Sequence, residues 1–162
     1  MAKWSVDGDS LSCGTLRLAI QRIGVTHWQL NGKLRSWGVA PLHLEGECLY
    51  VPCADDEALW IGAWLEPRLG GGTVSLADYD LGGLTVRIDL SAASRITALG
   101  NGAPVARLLG KAARSLQLTL THDRAAPVCI EMVLIQPLDW MARSSRHVPT
   151  LDGPPPLPPR LG

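Results

Sequence analysis

The sequence predicts a mainly β fold: an antiparallel β-sandwich or jelly-roll-like body with one short helix and an extended C-terminal arm. Three observations predict it. Apolar and polar residues alternate along several runs, glycine and proline punctuate the gaps between those runs, and proline dominates the last twenty residues. A period of two buries one face of a strand and wets the other. Many short strands separated by turn residues point to two packed sheets or a barrel.

The first alternating run is TLRLAIQ, in which Leu16, Leu18 and Ile20 share a face. HWQLNGKLRSW follows, and its Asn31-Gly32 pair is the dipeptide preferred by a two-residue type I′ turn, where both positions take positive φ. Such a hairpin sets Trp28 opposite Arg35, with Trp37 one step further on the same face. In DDEALWIGAWLE, residues 55–66, a strand would place Leu59, Ile61, Ala63 and Leu65 on one side and Ala58, Trp60, Gly62 and Trp64 on the other. The aliphatic side reads as core. LTVRIDL alternates through Leu84, Val86, Ile88 and Leu90, and LQLTLT through Leu116, Leu118 and Leu120. VCIEMVLI, residues 128–135, is almost continuously apolar and reads as a central strand covered on both faces. With the 116–121 strand it should form an antiparallel hairpin across THDRAAP.

APVARLLGKAARSL departs from this pattern. Val105, Leu108, Leu109 and Ala112 recur at helical spacing, and Pro104 suits a first turn, so a short helix is expected over 104–114. The preceding SAASRITALGNG suits a strand or a short helix. Two helices there would resemble a helix-turn-helix. The basic set on the second, Arg107, Lys111 and Arg114, has no Asn or Gln beside it to read adenine. A solvated helix face explains it equally well.

The chain of 162 residues suits one folded body, placed at 1–143, followed by a proline-rich arm at 144–162. Pro154, Pro155, Pro156, Pro158 and Pro159 favour extended polyproline II. Within the arm, Pro155, Pro158 and Arg160 fit a P-x-x-P-x-R arrangement of the kind that docks on aromatic grooves.

Fifteen basic residues balance fifteen acidic ones. A nucleic-acid partner is therefore not expected, because phosphate binding draws on a basic excess. Zero net charge also removes long-range repulsion between copies of the chain. No segment approaches the roughly 20 apolar residues of a membrane span, and the N-terminus lacks a signal-peptide core. The expectation is a cytoplasmic protein without a membrane partner, whose Cys13, Cys48, Cys53 and Cys129 are reduced thiols.

No catalytic signature stands out. There is no G-x-S-x-G elbow, and the glycines of LGGGTVS lack the Gly-Lys-Ser/Thr ending of a phosphate loop. Asp7, Asp9, Asp55, Asp56, Glu57, Asp78, Asp80 and the His122-Asp123 pair all lie beside turn signals, where Asp is favoured for local backbone bonding. His43, Cys48 and Cys53 do not have the knuckle spacing of a zinc site, and buried thiols are the preferred reading. Neither metal nor cofactor is expected. The functional expectation is a non-catalytic structural or adaptor subunit, a homo-oligomer or a component docked on other protein subunits, with Pro155, Pro158 and Arg160 on its interacting arm. The alternative is a carbohydrate-binding module that stacks a glycan on Trp60 and Trp64, with Trp28, Arg35 and Trp37 in support. A small enzyme assembled from distant residues is the third reading.

Overall fold

The computed structural model describes residues 3–13, 16–25, 37–64, 72–78, 84–89, 95–97, 107–122 and 126–151. They form two β-sheets and one helix. The first sheet has the order β1 (Ser5–Asp7), β2 (Ser10–Cys13), β3 (Leu16–Gly24), β7 (Glu57–Trp64), β10 (Arg95–Thr97). β4 (Gly38–Val39) also pairs with β3, through Gln21↔Val39 and Arg22↔Gly38. It takes the end of the β3 edge that β2, paired at Leu11↔Leu18 through Cys13↔Leu16, leaves open.

The second sheet has the order β5 (His43–Glu45), β6 (Cys48–Pro52), β12 (Val128–Ile135), β11 (Ala113–His122), β8 (Gly72–Asp78), β9 (Leu84–Asp89). Every pair in both sheets is antiparallel except β6 with β12, which run parallel from Glu131↔Cys48 to Ile135↔Pro52. The expected hairpin of 116–121 with 128–135 is present as β11–β12, extended to Ala113↔Ile135 at one end and to Leu120↔Val128 at the other.

The two sheets share one core. Leu11, Leu18, Ile20, Leu59 and Ile61 from the first meet Leu49, Val51, Leu76, Leu116, Leu118, Ile130, Met132 and Leu134 from the second in a single buried cluster. These are the every-second residues of their strands, so alternation in the sequence has become an inner and an outer face. Trp4 closes one side of this core, and its indole Nε1 donates to the Val128 carbonyl at 3.1 Å.

The helix is not where the periodicity placed it. Residues 107 and 108 have no regular structure, Leu109 and Gly110 both take left-handed backbone angles (φ 56° and 75°), and β11 begins at Ala113. Two consecutive left-handed residues cannot continue a right-handed helix. The apolar residues there serve different ends: Leu108 is fully buried, whereas Leu109 is 49% exposed at the tip of the turn. Residues 104–106 lie outside the described set. Among the described residues of the would-be helix-turn-helix, 95–97 form strand β10 and 107–113 are not helical.

The helix that does form is α1 (Pro137–Ser144), immediately after β12. Pro137 occupies its first turn, where a missing N–H costs nothing, and Asp139 lies in the first turn and Arg143 in the last, each matching the helix dipole. Ser145 ends it in a left-handed conformation, with its N–H donating to the Met141 carbonyl at 2.9 Å. α1 covers the outer face of the second sheet around Tyr50, Val133 and Ile135, into which Trp140 is fully buried. The Trp140 indole N–H donates to the Tyr50 carbonyl at 2.9 Å. β12 is therefore covered on both faces only along its second half. Cys129 and Glu131, on the outer face of its first half, are exposed.

Candidate functional site

Four strands carry their inner-face alternation past the aliphatic core and end it in the same place. After Leu18 and Ile20 comes Arg22; before Leu59 and Ile61 stands Glu57; before Leu116 and Leu118 stands Arg114; after Leu49 and Val51 comes Cys53. All four are buried: Arg22, Arg114, Glu57 and Cys53 are 3%, 3%, 5% and 0% exposed. One end of the shared core is thus filled by polar side chains.

At its centre is a two-pronged ion pair. Arg22 Nη2 lies 2.6 Å from Glu57 Oε1, and Arg22 Nε donates to Oε2 at 3.3 Å. The ladder pairs Glu57 with Gly24 and Arg22 with Leu59, so the two side chains are diagonal neighbours on one face. Such a planar fork is the geometry that lets a charged pair withstand desolvation. The remaining arm of the guanidinium, Nη1, donates to the Pro149 carbonyl at 2.7 Å. Arg114 Nη1 donates to the Arg107 carbonyl, tying the turn before β11 to the same region.

Cys53 lies inside this group. Its Sγ is 3.6 Å from the Ala54 carbonyl and 3.7 Å from that of Glu57, and its backbone N–H donates to the Ile135 carbonyl at 2.9 Å. Burial, reinforced by the Glu57 carboxylate, pushes its thiol up to about 12. A reactive cysteine needs a stabilised thiolate, and this environment does the reverse. Cys53 is therefore a protonated, hydrogen-bonded core residue. Burial likewise lowers the pKa of the Arg114 guanidinium.

Beyond α1 the chain is strapped to both sheets. Arg146 stacks over the Trp140 ring at 5.2 Å, donates to the Leu42 carbonyl at 2.8 Å and reaches Asp9 Oδ1 at 3.2 Å. Val148 is buried against Ile135 and Trp140, and Pro149 meets Arg22. The body expected to end near residue 143 has close contacts with the chain at least as far as Pro149. On the other side of α1, an open groove of about 530 Å³ separates the helix from the start of β11. Ile135, Ala112, Ala113 and Ala142 give it an apolar lining, and Asp139 and Arg143 edge it. Arg143 is engaged elsewhere, 4.1 Å over the Tyr50 ring and 3.0 Å from Glu45 Oε2. The His43 ring, hydrogen-bonded to the same carboxylate at 2.9 Å, and then Arg143 hold the Glu45 carboxyl below its ordinary pKa.

The residues singled out from the sequence fall in several places. Trp60 is on the outer face of the first sheet as expected, 5% exposed and packed with Ile23, Val25, Ala58 and the half-buried Trp37. Its indole Nε1 is buried without a hydrogen-bond partner. Trp37 approaches Gly24 so closely that a Cβ on Gly24 would lie 2.8 Å from the indole ring. Trp64 belongs to β7, opposite Arg17 and Arg95, and its side chain is outside the described residues. Trp28, Arg35, Pro155, Pro158 and Arg160 lie outside them entirely, as does the Asn31-Gly32 turn. Cys48 lies on the outer face of β6 and Cys53 on the inner side, so the two thiols face apart. Among the described residues no three of His, Cys, Asp and Glu are grouped as a metal site. Asp55 accepts from Gln136 Nε2 at 3.2 Å.

No protein-family model, curated protein or solved structure matches this chain. The polar end of the core was not anticipated, although its signal is present: in each strand the residue two places beyond the last aliphatic one is in phase with the core. Reading the alternation one step further would have picked out Arg22, Glu57 and Arg114.

Proposed function

We propose that the chain is a non-catalytic structural or adaptor subunit, one that self-associates or docks within a larger assembly, with the C-terminal arm as its interacting element. We also infer that the two sheets pack face to face as a sandwich, the arrangement that their shared core favours. The observation that carries the functional reading is the strap at 145–149. A segment clamped by Arg22, by Trp140 and by the Leu42 carbonyl delivers residues 152–162 from a fixed point on the body, and a fixed starting point lowers the ordering cost of an extended arm on binding. The thiol of Cys53, held protonated, and the closed Arg22–Glu57 pair are structural groups and leave no poised nucleophile or base at the polar end of the core. The carbohydrate-binding alternative needs exposed indole faces; Trp60 is packed, so no observation favours that reading over assembly.

The test is the solution mass of the full chain and of a chain ending at Leu151, by light scattering after size exclusion, with near-ultraviolet circular dichroism confirming that the body is intact. A defined oligomer that becomes smaller on shortening supports the reading. Two monomers of ordinary mass, together with no partner retained by the arm, overturn it.

A further inference from the structure

The strap that closes over the body from Arg146 to Pro149 leaves α1 through a single strained residue. We propose that it is an exchangeable latch. As concentration rises it swings out about Ser145 and docks, in the pose it takes here, on a second copy of this chain, which returns its own strap. The inference goes beyond the assembly reading above, because it needs only residues up to Leu151 and not the arm that follows.

The occupant of the docking site is the strap itself, already seated. Val148 is 8% exposed and packs on Ile135 and Trp140. Arg22 of the body donates to the Pro149 carbonyl at 2.7 Å, and Arg146 of the strap donates to the Leu42 carbonyl at 2.8 Å. Arg146 also reaches Asp9 Oδ1 at 3.2 Å and stacks over the Trp140 ring at 5.2 Å. Each of these contacts joins residues 146–149 to a residue at or before Trp140. A strap supplied by another copy makes them all equally well, which is the condition for exchange of an identical element between protomers.

The hinge supplies the reason to open. Ser145 is held at φ 57° and ψ 26°, in the left-handed region. A residue with a Cβ enters that region at a cost that glycine does not have, and helices that end this way mostly use glycine. Leu109 is the only other non-glycine residue with positive φ among the described residues. This turn sends the chain back over its own body. Relaxing Ser145 to negative φ releases the strain and turns the strap away. A short hinge under strain is the arrangement that invites exchange.

The latch is also light. Of its four residues only Val148 is buried, and Arg146, His147 and Pro149 are exposed. A segment with so little buried apolar surface opens at lower cost than the strands it covers. With formal net charge zero, no long-range repulsion opposes two copies meeting.

Sedimentation equilibrium of the full chain over a concentration series reads the exchange. Ser145→Gly relieves the closed form and should raise the dimer Kd at least about fivefold, whereas Ser145→Val, which disfavours the left-handed turn, should lower it by a similar factor. Mixing two variants is the sharper test. Val148→Phe overfills its own hollow and Ile135→Ala leaves its own underfilled, so each closes poorly alone. Reciprocal exchange seats the larger ring in the larger hollow and the native valine against the native isoleucine. Native mass spectrometry of the mixture should show mixed dimers in excess over both homodimers. Asp9→Arg mixed with Arg146→Asp repeats the test at two exposed positions, where folding is not at risk.

Hinge variants with unchanged Kd, or no excess of mixed dimers in either pair, overturn the exchange. If association disappears in a chain ending at Leu151, the arm holds the copies together: the exchange falls and the assembly reading stands. If association persists there and still depends on Ser145, the exchange stands and the arm is not the element that joins copies. A full chain that is monomeric at every concentration overturns the exchange outright.

Discussion

Arg22 and Glu57 sit diagonally across adjacent strands of the first sheet, both buried, with the third donor of the arginine holding the carbonyl of Pro149, a residue far along the chain. One side chain thus joins the middle of the first sheet to the end of the strap. Removing one partner of such a pair leaves an uncompensated buried charge, which costs about 3–5 kcal/mol. Glu57→Leu and Arg22→Leu should each lower stability in urea denaturation by that amount. The double Leu variant should lose less than the sum of the two. Single variants that each cost under about 1 kcal/mol would mean the pair is solvated.

The strap makes the position of a C-terminal cut decisive. A chain ending at Arg146 loses the buried Val148 and the acceptor that Arg22 Nη1 uses. Burial of a valine and one charge-assisted hydrogen bond are together worth about 3–6 kcal/mol before chain entropy is counted. That chain should melt well below the full one. A chain ending at Leu151 should melt within a few degrees of it. Equal melting of all three would show that the strap contributes nothing to the body.

Cys53 predicts an alkaline limb in stability. Its folded pKa is raised to about 12 from an ordinary value of 9.0. The folded state therefore holds a proton that the unfolded chain gives up first. The contribution is complete below pH 9 and declines as pH rises toward 12, at up to about 1.4 kcal/mol per pH unit. Denaturation midpoints measured from pH 8 to 11 should fall more steeply for the native chain than for Cys53→Ala. Parallel curves would place the thiol in contact with water.

Gly24 leaves room for the Trp37 ring, and a methyl group there would meet it at 2.8 Å. Gly24→Ala should cost about 1–3 kcal/mol by forcing the indole aside and should change the tryptophan fluorescence. Combining it with Trp37→Leu should recover part of the loss. An Ala variant as stable as the parent would show that the ring shifts freely.

Alternation made the strands legible wherever one face met the core and the other met water, as in β3, β11 and the aliphatic side of β7. It failed at 104–114, where an apolar spacing that suits a helix is shared between one buried leucine and one exposed leucine in a turn. α1 was not read from the sequence, because it is only two turns long. Of its eight residues Trp140 is the only buried one, with Met141 packed beside it, Arg143 tied to Glu45 and Tyr50, and Leu138 exposed. The parallel pairing of β6 with β12 was equally out of reach, because no local spacing encodes which distant strand a run will choose. The polar end of the core was readable in phase but not in partner: alternation puts Arg22 and Glu57 inside, and only the register brings them together.

That parallel pair has a consequence for how the protein comes into being. β5 and β6 can close as a hairpin early, but the other strand that β6 pairs with among the described residues is separated from it by about 80 residues, and such distant contacts are slow to form because a long loop must close first. On the ribosome the second sheet stays incomplete, with one edge of β6 bare, until β12 has emerged. Folding of that half should therefore wait until residues 128–135 have emerged. Stalled nascent chains that end before residue 128 should be cut by protease within 43–52, whereas chains exposing the whole of β12 should resist.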